Sequence, residues 1–311
     1  MKNNSLVLTI IAVVVLGGIV FATTRNTPAP QTSSNAPIQS HRTYSLKTDS
    51  AGKTYAVNTP NQYSFSIVDE RGGTLKDFAI THTKMMHVIV VRKDLAYFQH
   101  VHPEYDQTTG TFTFKNLTFP ADGEYRIFAD FAANSSQMDV MGMPLTTTIS
   151  EDVPVGIGAN YKPQALGTEE KTKTFGKYTV TLIPSSEPLA SQNDFGLTFE
   201  IKKDGKLLTN LEQYLGALGH SVILNENDLQ FIHAHPSNDP TKPQTGKVNF
   251  EVTFPEAGKY KIFTQFQDQG QVFTTDFVVS VIEGTKSSLG GTMMHDNGGS
   301  MKMDHNMMQT Q

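Results

Sequence analysis

The pattern that decides the fold lies in Val248-Asn249-Phe250-Glu251-Val252-Thr253-Phe254 and, after one turn, in Tyr260-Lys261-Ile262-Phe263-Thr264-Gln265-Phe266. Apolar and polar side chains alternate there with a period of two, which is typical of a strand with one buried face. Similar runs between residues 178 and 281 amount to about seven strands in roughly 110 residues. We therefore predict an antiparallel β-sandwich, in which 211–218 is a helix-like stretch of one or two turns.

A second copy of this pattern occurs earlier in the chain. The matching segments are Phe119-Pro120-x-x-Gly123-x-Tyr125-x-x-Phe128-x-x-Phe131 with Phe254-Pro255-x-x-Gly258-x-Tyr260-x-x-Phe263-x-x-Phe266, and Phe65-x-Ile67 with Phe199-x-Ile201. A repeat of this length is a whole domain, far longer than a solenoid unit. The predicted fold class is all-β, with two tandem antiparallel β-sandwich domains of the immunoglobulin-like or cupredoxin-like kind after an N-terminal hydrophobic helix.

Composition sets the boundaries of these parts. The predicted organisation is a signal peptide or membrane anchor at 1–22, a flexible linker at 23–42, the first sandwich at 43–155, a connector at 156–171, the second sandwich at 172–284 and a disordered Met- and His-rich tail at 285–311.

The N-terminal segment predicts where the chain resides. Lys2 precedes an apolar run over residues 6–22, followed by a polar stretch, as in a secretory signal or an anchor. Its seventeen residues would rise about 25 Å as a helix, which is short for a bilayer span and long for a signal core. Cleavage and retention both stay open. Either one predicts an extracytoplasmic protein of a bacterial cell envelope, secreted or held at the cytoplasmic membrane by residues 6–22.

Composition also excludes several classes of function. The net charge of -5 is spread without long runs of one sign, so no nucleic-acid partner is expected. The sequence contains no recognisable nucleophile motif, and we expect no enzymatic activity. Cysteine is absent, so any metal site must rely on imidazole, thioether, carboxylate or water.

Two histidine triads have identical spacing. They are His87, His100 and His102, followed by Pro103, and His220, His233 and His235, followed by Pro236. The two rings of a His-x-His segment project from the same face of a strand, and a hairpin would bring the third ring alongside. The prolines would end these strands at a sheet edge, open to solvent. Three imidazoles with an open position suit Zn(II) or Cu(II); the alternative is a duplicated hydrogen-bonding device.

The first copy adds further metal-ligand candidates. These are His82 before the leading histidine and Met138, Met141 and Met143 after Phe131. Met85 and Met86 also precede His87, where the second copy has Leu218 and Gly219. Thioethers would favour Cu(I) at this site, whereas packing in the core is the alternative for Met85, Met86 and Met138.

The C-terminal tail contains half of the methionines. Its candidate ligands are Met293, Met294, His295, Met301, Met303, His305, Met307 and Met308. A segment of this composition cannot form a core, and exposed methionine is prone to oxidation. We therefore predict that the tail captures copper.

The residues around the triads resemble a known kind of domain. Phe231-Ile232-His233-Ala234-His235-Pro236 and Phe98-Gln99-His100-Val101-His102-Pro103 are similar to the His-x-His-Pro β-sandwich domains of exported bacterial proteins, which are loosely YtkA-like. This resemblance implies heavy-metal or copper handling. The tail separately resembles Met- and His-rich copper-binding segments of bacterial envelope proteins. The first copy lacks the Tyr214-Leu215-Gly216-Ala217 segment of the second, so equal metal affinity of the two sites does not follow.

The predicted function is copper binding, with sequestration or delivery in the cell envelope, and zinc is the alternative metal. The expected partners are metal ions, an envelope metal transporter or chaperone, and the membrane if the N-terminal segment is retained. Two other classes stay open. One is a non-metal scaffold or adhesion module, and the other is a copper oxidoreductase of the superoxide-dismutase type, which the His-x-His segment resembles.

Overall fold

The computed structural model describes residues 43–138, 144–156, 161–238 and 241–284, and every regular element in them is a β-strand. All of these residues belong to one compact unit. The strands of the first repeat are β1 (Tyr44–Thr48), β2 (Asn61–Asp69), β3 (Phe78–Ala79), β4 (Met86–Arg92), β5 (Phe98–Val101), β6 (Glu104–Asp106), β7 (Thr111–Leu117), β8 (Gly123–Ala133) and β9 (Thr147–Val155). Those of the second repeat are β10 (Thr172–Phe175), β11 (Tyr178–Pro184), β12 (Leu189–Ala190), β13 (Asp194–Lys203), β14 (Lys206–Leu207), β15 (His220–Asn225), β16 (Phe231–Ala234), β17 (Lys247–Thr253), β18 (Gly258–Asp268) and β19 (Gln271–Ile282).

Each repeat consists of two sheets. In the first repeat one sheet has the order β1-β2-β7-β6, and the other has the order β3-β8-β4-β5 with β9 beside β8. In the second repeat the orders are β10-β11-β13-β14, with β17 beside β13, and β12-β19-β18-β15-β16. Almost all pairings are antiparallel. The predicted fold class, all-β with tandem antiparallel sandwiches, is confirmed.

Buried aromatic side chains form the centre of each sandwich. Phe65, Phe112 and Phe131 are buried in the first, and Phe199 and Phe266 take similar places in the second. Rings pack as offset pairs, with 5.3 Å between the centroids of Phe65 and Phe112. Such pairs add to the free energy already gained by removing apolar area from water.

The shared Phe-Pro-x-x-Gly-x-Tyr motif forms the same corner in both repeats. The Tyr125 hydroxyl donates a hydrogen bond of 2.8 Å to the carbonyl of Ala121, and the Tyr260 hydroxyl donates one of 2.9 Å to the carbonyl of Glu256. Each bond closes the turn that precedes the long strand β8 or β18. The motif therefore fixes where these strands begin.

Strands β4 and β15 are buried on both faces. Val88 and Val90 face the core of the first sandwich, whereas Ile89 and Val91 belong to a separate cluster with Val222 and Leu224 of the second repeat. A strand with two buried faces is apolar throughout rather than alternating, which explains the unbroken run of residues 88–91. This separate cluster, which we call the inter-repeat core, joins the two sandwiches.

Contacts across the inter-repeat core are reciprocal. Phe98 stacks on Phe263 with 4.5 Å between ring centroids, and the equivalent residues Phe231 and Phe128 pack at 5.0 Å. In a two-fold interface, each contact between two residues recurs between the equivalent residues with the sides exchanged. The repeats therefore pack like the subunits of a symmetric dimer.

One predicted feature differs from the structure, and two others lie outside the described residues. Residues 211–218 are not helical, because Tyr214–Ala217 form a tight turn with Leu215 and Gly216 at φ of 52° and 80°. The predicted N-terminal helix and the tail lie outside the described residues. Among the described residues, the structure contains no helix of the length and apolarity required to cross a membrane.

Candidate functional site

The first triad, His87, His100 and His102, comes together as the sequence predicted. The antiparallel pair of β4 and β5 brings the segments side by side. His87 Nδ1 lies 3.1 Å from His100 Nε2 and 3.3 Å from His102 Nε2. Metal–nitrogen bonds of about 2.0–2.1 Å in a tetrahedron separate neighbouring ligand atoms by roughly 3.3–3.4 Å. The three nitrogens are therefore spaced as ligands of one ion are.

Hydrogen bonds to oxygen acceptors assign the ring protons of two members of this triad, His87 and His100. His87 Nε2 donates to the Thr81 carbonyl at 3.0 Å, and His100 Nδ1 donates to Gln265 Oε1 at 3.0 Å. In a neutral imidazole the other nitrogen then holds a lone pair. His87 Nδ1 and His100 Nε2 thus face each other with two lone pairs, an arrangement that a cation stabilises.

The second triad, His220, His233 and His235, repeats this arrangement of donors. His220 Nε2 donates to the Tyr214 carbonyl at 2.9 Å, and His233 Nδ1 donates to Asp130 Oδ2 at 2.8 Å. Their other nitrogens, together with His235 Nε2, are buried and have no hydrogen-bond partner. These three atoms are the repeat equivalents of the three nitrogens that meet in the first triad, but here the ligand atoms within 4.8 Å of one another are those of His82, His220 and His235. Buried polar atoms without a partner call for an explanation, and a metal ion supplies one.

His82 lies closest to the second triad, although its ring also lies 6.3 Å from that of His87 in the first. It stacks on His235 with 3.6 Å between centroids, and its nitrogen lies within 4.8 Å of ligand atoms of His220 and His235. The ligand atoms that His82 could join are therefore those of the opposite repeat, and its role as a metal ligand stays a prediction. We call these seven residues, the two triads and His82, the histidine centre.

Each triad is supported by a residue of the opposite repeat. Asp130 on β8 holds His233, and Gln265, at the equivalent place on β18, holds His100. Both are buried, and each also bonds a threonine, since Thr148 donates to Asp130 at 2.8 Å and Gln265 donates to Thr274 at 3.2 Å. Partners of this kind orient metal-binding imidazoles and raise their basicity. Neither triad has all its partners within one repeat.

The electrostatics of the centre favour neutral imidazoles. Burial, and to a smaller extent the neighbouring imidazoles, lower the pKa of His82 to about 4, of His102 to about 3 and of His220 to about 2. Burial likewise lowers the pKa of His87, His100 and His235. Neutral imidazole is the form that binds metal. The centre therefore presents free lone pairs without having to lose protons near neutral pH.

Asp130 supplies negative charge to the centre. Its side chain is 2% exposed, and although burial opposes ionisation, the hydrogen bonds from His233 and Thr148 lower its pKa below the usual range. The first triad has a positive charge nearby instead, because Lys84 lowers the pKa of His87 and His102. The second triad is thus the more negative of the two.

The predicted exposure of the triads is wrong. The strands β5 and β16 do lie at sheet edges, as the prolines indicated. His100, however, is only 8% exposed and the His233 side chain 7%, because the opposite repeat covers them. His102 reaches the surface at a pocket of about 230 Å³ that Lys84, Met85 and Met86 also line.

The methionine candidates of the first repeat are dispersed. Met86 is buried in the core of its sandwich, and Met85 is 40% exposed at the pocket beside His102. Met138 is exposed and pairs with Pro144 in an isolated bridge. Several candidates lie outside the described residues, namely Met141, Met143, Met293, Met294, His295, Met301, Met303, His305, Met307 and Met308. Their ligand role stays a prediction.

Sequence reasoning missed Asp130, Gln265 and the carbonyls of Thr81 and Tyr214. One signal was present, because Asp130 interrupts an otherwise apolar run over 127–133, and a buried carboxylate needs a partner. The partner lies in the other repeat, 103 residues away. The sequence of one repeat alone therefore does not identify His233 as the partner of Asp130.

Comparisons with known proteins add the following. A search of curated proteins gave no match. Among solved structures, the chain is similar to the Escherichia coli adhesin FdeC at 15% identity and a TM-score of 0.25, over 76% of this chain and 63% of that chain. It is also similar to domains 5–6 of the S-layer protein SbsC at 13% identity and a TM-score of 0.20, over 78% of this chain and 100% of that chain. These scores carry no argument about function.

The family comparison is more extensive. A single family model matches the chain twice, at residues 40–149 and 172–283. It does not test the resemblance to YtkA-like domains, which stays a prediction. Because the two matches together cover more than half of the sequence, the chain belongs to the family described as "Domain of unknown function (DUF8832)" and contains two copies of that domain.

Proposed function

We propose that this protein binds transition-metal ions at the histidine centre, with copper as the physiological metal and zinc as the alternative. The observation that carries the proposal is the 3.1 Å approach of His87 Nδ1 and His100 Nε2. The protons of both rings are engaged elsewhere, by Thr81 and Gln265. Two lone pairs at this distance repel each other unless a cation lies between them.

The second triad supports the same proposal independently. Its three equivalent nitrogens are buried without hydrogen-bond partners. Leaving a buried polar atom unsatisfied costs about 1–3 kcal/mol. Three such atoms in one small volume are a substantial cost for a structure that serves only as a scaffold, whereas a bound ion removes it.

The preference for copper rests on methionines, one of which, Met85, lies at the pocket beside His102 and six of which belong to the tail, among residues 293–308. Thioethers select Cu(I) and contribute little to zinc binding. We propose that the tail captures Cu(I) outside the cytoplasmic membrane and passes it to the histidine centre for sequestration or delivery.

Metal titration tests the proposal directly. The full chain carries His41→Ala, His295→Ala and His305→Ala in every sample, so that the seven remaining histidines are those of the centre. We expect this protein to bind Cu(II) or Zn(II), and the pair His233→Ala and His235→Ala to remove the ion of the second triad. Circular dichroism checks that each variant remains folded.

Deleting 292–311 tests the copper assignment. We expect the truncated protein to bind less Cu(I) while it keeps Zn(II) binding, and its host to lose copper tolerance more than zinc tolerance. Unchanged copper tolerance, together with lost zinc tolerance in the triad variant, would make zinc the physiological metal. A folded full chain that binds neither ion would overturn the proposal.

The scaffold or adhesion alternative is the second candidate. The FdeC and SbsC likenesses agree with it better than with metal binding, although at their TM-scores they carry no argument. In this alternative the histidine centre only stabilises the contact between the repeats. Stability then discriminates, because alanine in place of a triad histidine would weaken the fold equally with and without added metal.

A further inference from the structure

We infer that the two triads form one dinuclear metal centre, shared between the repeats, that holds a pair of copper or zinc ions close enough to interact. This inference rests on the proposed function and specifies it further. Two separate mononuclear sites are the simpler expectation for a duplicated domain. The packing of the repeats brings the triads together instead.

The rings of the two triads lie close to one another. Within the first triad, ring centroids lie 4.9–5.3 Å apart, and within the second they lie 4.4–6.0 Å apart. Between the triads, His87 lies 5.9 Å from His233 and 6.4 Å from His220. A ring of one triad is thus almost as close to the other triad as to its own. With metal–nitrogen bonds of about 2 Å, ions in the two triads would lie on the order of 5 Å apart.

His82 contacts members of both triads. Its ring centroid lies 6.3 Å from that of His87 and 5.2 Å from that of His220, and it stacks on His235. The carbonyl of Thr81, one residue earlier, accepts the proton of His87 Nε2. One turn of the first repeat therefore orients a ligand of the first triad and places a ring against the second.

That turn has an unfavourable backbone. His82 and Thr83 have φ of 49° and 68°, where the second repeat has Leu215 and Gly216 at 52° and 80°. Glycine adopts this conformation freely, whereas a β-branched residue adopts it only with steric strain. Strain of this kind is concentrated at functional sites, and here it accompanies the placement of His82 between the triads.

Charge predicts the order in which the two ions bind. Asp130 is the buried carboxylate that contacts the centre among the described residues, and it serves the second triad. The first divalent ion should therefore occupy the second triad. The next ion meets the charge of the first at short range in a buried site, so it binds more weakly unless an anion from solvent enters with it.

Electron paramagnetic resonance of Cu(II) tests the inference. The full chain with His41, His295 and His305 replaced by alanine receives one and then two equivalents of CuSO₄. We expect the first equivalent to give one unpaired spin per chain. The second should then lower the integrated signal below two spins per chain or produce a half-field transition, because interaction between two Cu(II) ions has both effects.

Matched variants and one control make the outcomes decisive. His102→Gln and His235→Gln remove one ligand from opposite triads, and each should leave a single uncoupled Cu(II). Acid denaturation after the measurement should restore two spins, which excludes reduction to Cu(I). Two bound ions that integrate to two spins without a half-field transition would overturn the dinuclear centre but leave metal binding intact, as would a stoichiometry of one. No binding at all would overturn the proposed function as well.

Discussion

The two halves of the histidine centre share a geometry but differ in what surrounds it. The first triad is supported by the neutral amide of Gln265 and opens toward solvent at His102. The second is supported by the carboxylate of Asp130 and is covered by the additional imidazole of His82. Duplication thus preserved the histidines of the triads, and divergence changed their hydrogen-bond partners. A closed, negatively charged half suits firm binding of a divalent ion, and an open half suits exchange.

Separating the halves should have the largest effect. Phe263→Ala removes a ring that stacks on Phe98 in the inter-repeat core, and it should lower the free energy of unfolding by about 3–5 kcal/mol. Because each triad depends on a partner in the other repeat, both affinities for metal should fall as well. Urea unfolding and metal titration measure the two effects.

The matched control for this change is Phe250→Ala. Phe250 is fully buried inside the second sandwich, away from the inter-repeat core, so a similar loss of stability is expected. Metal affinity in the protein that remains folded should be retained. Equal metal affinities of the two variants would show that contact between the repeats does not shape the centre.

Acidification should destabilise both halves of the metal-free protein. Burial lowers the pKa of His82 to about 4 and of His102 to about 3, whereas unfolded histidine titrates near pH 6.5. Between pH 6.5 and about 4 the unfolded chain therefore binds more protons than the folded chain. The free energy of unfolding should fall as pH falls through this window.

Urea titrations at pH 7 and about pH 5, without metal, measure this dependence. His82→Leu removes one of the shifted groups, so its stability should depend less on pH than that of the unchanged protein. The same free energy of unfolding at both pH values would mean that the histidines are not held neutral by burial.

Exchanging the supporting residues should reverse the difference in metal affinity between the halves. Asp130→Asn keeps the shape of the side chain but removes its charge, and we expect the second triad to lose about 10–100-fold in affinity for Zn(II). Gln265→Glu makes the reciprocal change and should strengthen the first triad. Competition with a chelator measures both, and the double variant should reverse the order in which the triads fill. An unchanged order would mean that Asp130 does not set the affinity.

The sequence predicted the fold more completely than it predicted the candidate site. Period-two alternation is a local property, so the strands and both triads were predicted from residues close in sequence, as the pairing of β4 with β5 illustrates. The contact between the repeats is not local. The apolar run over 88–91 indicated a strand with two buried faces, but nothing in it identifies Val222 and Leu224 as its partners. For the same reason the roles of Asp130 and Gln265 emerge only when the repeats are packed together.

The smallest change should come from restoring symmetry at His82. His82→Leu introduces the leucine that the second repeat has at Leu215. The second triad then keeps its own three imidazoles and loses the fourth, that of His82. Its affinity for Zn(II) should then fall by about tenfold, the lower end of what partner residues contribute. Leu215→His is the matched gain, because a Cβ built on Gly216 beside it would lie 3.5 Å from Thr83 Cγ2, so the two turns already face each other. That variant should raise the affinity of the first triad. If neither change alters either affinity in chelator competition, His82 is a packing residue and the two halves differ through Asp130 alone.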